Sequence, residues 1–323
     1  QIRDQHLLGH QRCLVRSPQL CPVHSRAAAH QHSHRQCILH SRQRCRASSR
    51  ATAHNGMVEG PKVRLKVPRF AALKGCLLLE VVQGPQLPEL LGKQLTDVVF
   101  VGKELFLLFD EGKALRLHFG MDGSERITKA LCPAAELLPP RSRKQLRALL
   151  RFDGLCLYLF DSTLTLRTAA YVQKAMDRRD RDVMSELFSP QIVVSLLAAD
   201  PRSLLEAVMD QLLMPGVGNV IKCEGLFIAG LHPDTPASSC AAQQLSVLVQ
   251  ALHKFAWEWH DNTKAGRAQP KHIYGAQRCP RCTREVTLVR SGAQQRITYY
   301  CAACQPRYGV QGQGQGVQGA QGG

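Results

Sequence analysis

Four cysteines near the C-terminus carry the most specific chemical signal in the sequence. Cys279-Pro-Arg-Cys282 and Cys301-Ala-Ala-Cys304 form a C-x2-C-x18-C-x2-C pattern. Two such knuckles present four thiolates tetrahedrally to Zn²⁺, and a closed site of this kind is structural because no coordination position is left for substrate. A thioredoxin-like redox motif needs one C-x-x-C at a β-α-β junction and fits less well. Between the knuckles, VTLV and ITYY alternate like the strands of a hairpin, which would bring the two pairs together. Arg290 and Arg296 fall on that hairpin, where a guanidinium is either a planar fork for phosphate or a solvated surface group. A second constellation lies upstream in residues 210–221, DQLLMPGVGNVI. Its glycines let backbone approach a ligand closely. Asn219 then opens a helix whose exposed N–H groups and dipole favour an anion, so this side chain either caps the helix or also touches phosphate. Lys222, one turn on, adds positive charge.

These groups need elements to hold them. From 95 to 167 the chain runs in short alternating segments, VVFV, ELFLLF, ALRLHF, LCLYLF and LTLR, with Asp-Gly turn signals between several of them. That period predicts an antiparallel β-sandwich or barrel. The charged stretch 174–182 reads as a hinge, and beyond it the period becomes helical. Leu204, Val208 and Leu212 lie four apart, MPGVG at 214–218 breaks the helix, and Leu245, Leu248, Leu252, Phe255 and Trp259 mark a longer amphipathic helix. The expected fold class is a multidomain α+β protein. Residues 57–178 would form an N-terminal β-sandwich, 179–275 a helical domain, 276–306 the four-cysteine finger and 307–323 a Gly/Gln-rich low-complexity tail.

Charge narrows the partner class. The 323 residues carry a formal charge of +17, and a surface this basic favours polyanions, nucleic acid first. Nine of the arginines and one acidic residue fall in residues 1–56, yet the remainder is basic too. That leading stretch holds Cys13, Cys21, Cys37, Cys45 and eight histidines, a set that could in principle bind metal but lacks the short paired knuckle. It begins at Gln1 without a periodic apolar pattern, and is expected to be a disordered or artefactual basic extension. Of thirteen cysteines only the last four are tightly paired, and no signal peptide is apparent, so a reducing compartment with one metal site is expected. No run of about 18 apolar residues points to a membrane span.

Taken in order, several of these segments resemble one family. MPGVGNVIKCEGLF followed by AGLHP is similar to the helix–two-turn–helix signature of the Fpg/Nei DNA glycosylases, QRITYYCAACQ to their zinc-finger hairpin, and HFGMDG to a strand motif of their sandwich domain. MVEGP at 57–61 resembles their processed N-terminus, and Val in place of the usual Pro is similar to the endonuclease VIII-like 3 branch. The resemblance covers about residues 57–306. Cys223 and Gly225 depart from the Asn and Ala more usual in that helix.

The resemblance implies a base-excision repair enzyme of the nucleus, monomeric, acting on damaged DNA. In the family the nucleophile is an N-terminal α-amine. Such an amine is roughly 10% neutral at pH 7, against about 0.04% for an ordinary lysine. Val58 would supply it, attacking C1′ and leaving a Schiff base, with Glu59 as the adjacent acid/base and Lys103 near the lesion phosphate. Asn219 and Arg296 would grip phosphate, and Met121 would fill the space left by the extruded nucleotide. The Arg–Phe pair that usually completes this filling is missing after FDS at 160–162, a departure shared with the same branch and one that implies a preference for single-stranded DNA. Oxidised pyrimidines and hydantoins are the implied substrates, with weak AP lyase activity and crosslink unhooking as further implications. With 57 residues ahead of it, Val58 has an amide nitrogen that forms no imine, so the implied chemistry requires a start at Met57. A catalytically inactive zinc-containing DNA-binding protein, or an RNA-binding zinc ribbon, are the alternatives from other classes.

Overall fold

In the computed structural model, residues 57–291 and 295–307 are described; the N-terminal extension and nearly all of the C-terminal tail expected from sequence lie outside them. Two short helices, α1 (Gly60–Arg64) and α2 (Val67–Phe70), open the described chain. Eight strands follow: β1 (Leu78–Gln83), β2 (Leu95–Val101), β3 (Glu104–Phe109), β4 (Lys113–His118), β5 (Ser124–Thr128), β6 (Leu146–Phe152), β7 (Leu155–Phe160) and β8 (Thr163–Thr168). They form two antiparallel sheets, ordered β1-β6-β7-β5 and β2-β3-β4-β8. Leu105, Leu107, Leu115 and Leu117 from one sheet meet Leu150, Phe152, Leu157 and Leu159 from the other, and Phe70 and Phe119 belong to the same buried cluster. The expected sandwich is present. The run ELFLLF departs from strict alternation because its sheet is covered on both faces: Phe106 packs outward against Val172 and Ala175 of α3 (Ala169–Met176).

Beyond α3 come α4 (Pro190–Ala198), α5 (Leu204–Ala207), α6 (Asn219–Ala229) and α7 (Ala242–Lys264). The apolar stripe of α7 is buried from Leu245 to Trp259, as its spacing requires. Gly225 is explained here: a Cβ would sit 2.3 Å from Leu252 Cδ2, so glycine lets α6 and α7 approach. The hairpin β9 (Thr287–Ser291) and β10 (Arg296–Tyr300) completes the fold, with Arg296 opposite Ser291.

Two expectations need correction. The four-residue spacing of Leu204, Val208 and Leu212 does not make one helix. α5 stops at Ala207, and the Asp210 side chain accepts the Leu212 N–H (2.8 Å) while pairing with Arg202 (3.0 Å), so the chain turns and leaves Leu212 62% exposed. The 174–182 stretch is not a loose hinge either. It starts inside α3, and its end is bound tightly: Asp182 accepts N–H bonds from Gly102 (2.7 Å) and Met184 (2.9 Å).

Glycine is obligatory where the segments 57–60, 102–103 and 215–218 converge. Gly216 has φ +91°, and a Cβ on it would meet Val183 Cγ1 at 2.9 Å; a Cβ on Gly102 would meet the Gly216 nitrogen at 2.7 Å. Gly216→Ala is therefore expected to cost roughly 2–4 kcal/mol, whereas Gly154→Ala, at φ +74° in open space, costs about 1 kcal/mol. Urea denaturation of the two variants measures the difference, and equal losses would contradict the close-approach account.

Candidate active site and nucleic-acid interface

Glu59 is the extended N-cap residue of α1, with Pro61 as the second residue of that helix. Its side chain crosses to the start of α6, where Oε1 accepts the Val220 N–H (2.8 Å) and Oε2 the Ile221 N–H (3.1 Å). The N-cap of α6 is Gly218, which has no side chain to satisfy those donors; the Glu59 carboxylate does it instead. Gly218 must be glycine, since a Cβ would fall 2.3 Å from Glu59 Cδ. Glu59 is 2% exposed. Burial pushes its pKa above the ordinary carboxylate value. Lys103 and the amides of residues 218, 220 and 221 pull the other way without overcoming it. A carboxyl that holds its proton into higher pH is suited to act as an acid, and once ionised as a base.

Val58 is buried in the sandwich core, and its N–H donates to the Met121 carbonyl (3.0 Å). That bond ties the segment ahead of Glu59 to the β4–β5 loop, from which the Met121 side chain projects, 65% exposed. The loop is further held by the Lys144 ammonium on the Asp122 carbonyl. Lys103 occupies the two-residue turn between β2 and β3, after Gly102 at φ +59°. Burial lowers its pKa; Glu59 opposes the shift and Arg296 adds to it. These couplings bring Glu59, Lys103 and Arg296 to one place. Lys103 and Arg296 also line a cleft of about 380 Å³ between the sandwich and the helical lobe, with His118, Arg178 and Gln211.

His118 and Arg178 were not singled out from sequence. His118 ends β4 three residues before Met121, and burial, then Arg116, lowers its pKa. Its place three residues before the projecting Met was the available signal; Arg178 was hidden in the charged run that reads as a hinge.

Asn219 does not cap α6. It is the first helical residue, 6% exposed, and its Nδ2 donates to the Ile297 carbonyl (2.7 Å), joining α6 to the finger next to Arg296. Lys222 also needs correction. It is fully buried, with Nζ 2.8 Å from Thr298 Oγ1, so its ammonium faces the finger's β10 strand and no ligand surface. Helical spacing turned it inward, between α6 and the hairpin. Cys223 is buried on the same side, where the Tyr299 N–H lies 3.5 Å from its sulfur. One turn of α6 thus rests against the finger. Glu224 fixes the lead-in to it, accepting N–H bonds from His272, Ile273 and Tyr274 (2.9, 3.1 and 2.8 Å).

The four finger sulfurs lie within 4.8 Å of one another, with Cys279–Cys304 at 3.8 Å and Cys282–Cys301 at 3.5 Å. A tetrahedron with metal–sulfur bonds of about 2.3 Å has edges of roughly 3.8 Å, so the donor set fits a metal ion of that size. Among the described residues this is the group of side chains arranged to hold one.

Residues 180–256 match the family described as the formamidopyrimidine-DNA glycosylase H2TH domain. The chain is 36% identical over 223 residues to endonuclease 8-like 3 of Xenopus laevis, an alignment covering 68% of this chain and 36% of that protein. It is 30% identical over 252 residues to the probable endonuclease 8 2 of Streptomyces coelicolor, covering 74% and 84% respectively. Among solved structures, MutM (Fpg) of Thermus thermophilus superposes with a TM-score of 0.62 at 26% identity, over 76% of this chain and 98% of that one. The chain spans about a third of the length of the endonuclease 8-like 3 proteins it matches.

Burial lowers the Lys222 pKa from 10.5, so at neutral pH its charge costs stability, and stability should rise with pH through the lowered value toward 10.5. Lys222→Met is expected to hold or raise the urea midpoint at pH 7. A fall of more than about 1 kcal/mol would contradict the buried, penalised ammonium.

Proposed function

We propose that this chain, which belongs to the Fpg/Nei family, is a DNA glycosylase that cuts oxidised bases from DNA. The observation that carries this is the buried Glu59 carboxyl, its pKa raised, set on the start of α6 and coupled to Lys103, which lines a cation-rich cleft. The cleft holds the phosphodiester through Lys103 and Arg296, with His118 and Arg178 contributing positive or donor groups. Asn219 keeps the Arg296 hairpin in place through the Ile297 carbonyl.

Glu59 acts in one of two ways. As an acid it protonates the ring oxygen of the sugar while the amine of Val58 attacks C1′. The C1′–base bond breaks and the base leaves with its electron pair; the C1′–O4′ bond then opens with the Glu59 proton on O4′, and loss of the protons from nitrogen gives the imine. As a base it takes a proton from water, which attacks C1′ and releases the base without an imine. The first route requires a free α-amine at Val58, hence cleavage after Met57; the second does not. Weak lyase activity belongs to the first route alone.

Single-stranded DNA is the proposed substrate, with hydantoins and oxidised pyrimidines as the lesions and crosslinked bases as a further class. Two residues, Asp161 and Ser162, separate β7 from β8, which leaves no loop there to wedge into a duplex beside Met121. An unpaired base costs less to extrude. Zinc is the proposed occupant of the Cys279, Cys282, Cys301 and Cys304 site, where it would hold the knuckles and so the β9–β10 hairpin in place.

Glu59→Gln is expected to lower single-turnover base release from a hydantoin-containing single strand by about 10²–10⁴-fold with DNA affinity retained. Because the Glu59 pKa is raised in the fold, ionisation there costs stability as pH rises through it, so the variant should not unfold at neutral pH. Release at the wild-type rate would overturn the role. Chelation of the zinc should weaken DNA binding as the hairpin carrying Arg296 loosens, and unchanged affinity would contradict the metal's positioning role. Mass spectrometry of the N-terminus with borohydride trapping on an abasic strand separates the two routes. DNA binding without base release by protein that starts at Val58 would favour a non-catalytic DNA-binding role.

A further inference from the structure

Asp182 is a buried carboxylate that the chemistry above does not use. It is 1% exposed, and its two oxygens accept from two different segments: Oδ2 from Gly102 N–H (2.7 Å), at the β2–β3 turn, and Oδ1 from Met184 N–H (2.9 Å). The residues after it are equally committed. Val183 donates its N–H to the Pro215 carbonyl (3.0 Å). The Val183 carbonyl faces His253 Nδ1 at 3.1 Å, so that nitrogen carries the proton. The Met184 carbonyl accepts from Arg64 Nη1 (2.7 Å), on α1. Residues 182–184 therefore tie together the β2–β3 turn, α1, the 215–216 turn and α7.

Gly216 lies at the centre of this knot. Its carbonyl accepts the Gly60 N–H (3.0 Å), next to Glu59, and Gly102 packs closely against it. We infer that Asp182 is the positioning residue of the cleft: by holding the Gly102 turn down on Gly216, it fixes the Lys103 amine relative to Glu59. The inference rests on the glycosylase reading for its consequence in catalysis, and on geometry alone for its effect on Lys103.

A stability role is a poor explanation for this carboxylate. Burial pushes its pKa up from 3.8 to about 6, with the two backbone donors, Arg179 and Arg64 offsetting only part of the rise. A pKa raised by folding means that stability is greatest below 3.8 and declines as pH rises through about 6. At neutral pH the ionised group is thus a cost to the fold, borne while it holds the Lys103 turn. The charged and titratable groups around the knot are Arg64 from α1, Arg179 from the segment after α3 and His253 from α7.

Asp182→Asn tests this. The amide oxygen accepts one of the two N–H groups, while its NH₂ opposes the other, so one tie is lost with little change in volume. Two readouts are taken on the full chain. The titration midpoint of Lys103, followed by pH-dependent amine labelling and mass spectrometry, should rise toward the ordinary 10.5 as the turn lifts and the amine rehydrates. Single-turnover base release should fall by about 10²-fold, a larger loss than that in affinity for the damaged strand, which Arg296 still contacts. A Lys103 midpoint or a release rate that stays at the wild-type value overturns the inference. If wild-type protein releases no base, the glycosylase reading fails on its own and the Lys103 midpoint alone decides this one. Should the variant not fold, hydrogen exchange of the Gly102 amide in wild-type protein replaces it. Its protection should drop as pH falls through about 6, and constant protection overturns the tie.

Discussion

The arrangement depends on a carboxylate from one lobe serving as the missing cap of a helix in the other. α6 begins at a glycine with no side chain to offer, and its first free N–H groups point at Glu59. This single contact has three consequences. It joins the N-terminal segment to the helical lobe. It forces glycine at 218, because any Cβ would occupy the carboxylate's space. It also sets a contest between burial and hydrogen bonding that burial wins, raising the pKa of the group above the ordinary carboxylate value. A side chain that only capped the helix would not need to come from 161 residues away or to sit beside a second desolvated amine.

That contact demands close backbone approach, and the glycines supply it. Gly60, Gly102 and Gly216 pack closely enough that an added Cβ would crowd each of them, so the turn carrying Lys103 and the segment carrying Glu59 rest on the same residue. On the far side of α6, Lys222 and Cys223 engage the finger, Glu224 holds the segment leading into it, and Asn219 reaches the strand that starts with Arg296. The finger is therefore attached to the same helix that Glu59 caps. Cysteine cluster, helix and carboxylate form one mechanical series, with the cleft along one side of it.

Much of this was legible in the residues. The paired cysteines, the alternating strands and the long α7 stripe each express a local rule, a ligand spacing or a period, that tertiary structure did not override. Glu59, Lys103 and Arg296 were pointed to by the family resemblance more than by residue type, and the fold couples the three electrostatically. What failed were inferences of direction. Lys222 is positive and one turn beyond an anion-binding loop, but its position on α6 faces the finger. Asn219 is a preferred capping residue, yet the cap was already supplied by a carboxylate distant in sequence. Leu212 continued a helical spacing that Asp210 ends by bonding the backbone two residues on. Asp182 lay in a run of arginines and aspartates that has no period, and only the fold reveals that one of them points inward.

The central claim is that the Glu59 pKa is raised because the fold buries the carboxyl against the start of α6. An infrared or ¹³C NMR titration of protein labelled at glutamate carboxyls, with the Glu59 signal assigned by its loss on substitution, measures this directly. The account predicts a midpoint above the ordinary 4.5. A midpoint at or below that value would mean that the helix and Lys103 outweigh burial, and the proton-donor assignment would be contradicted.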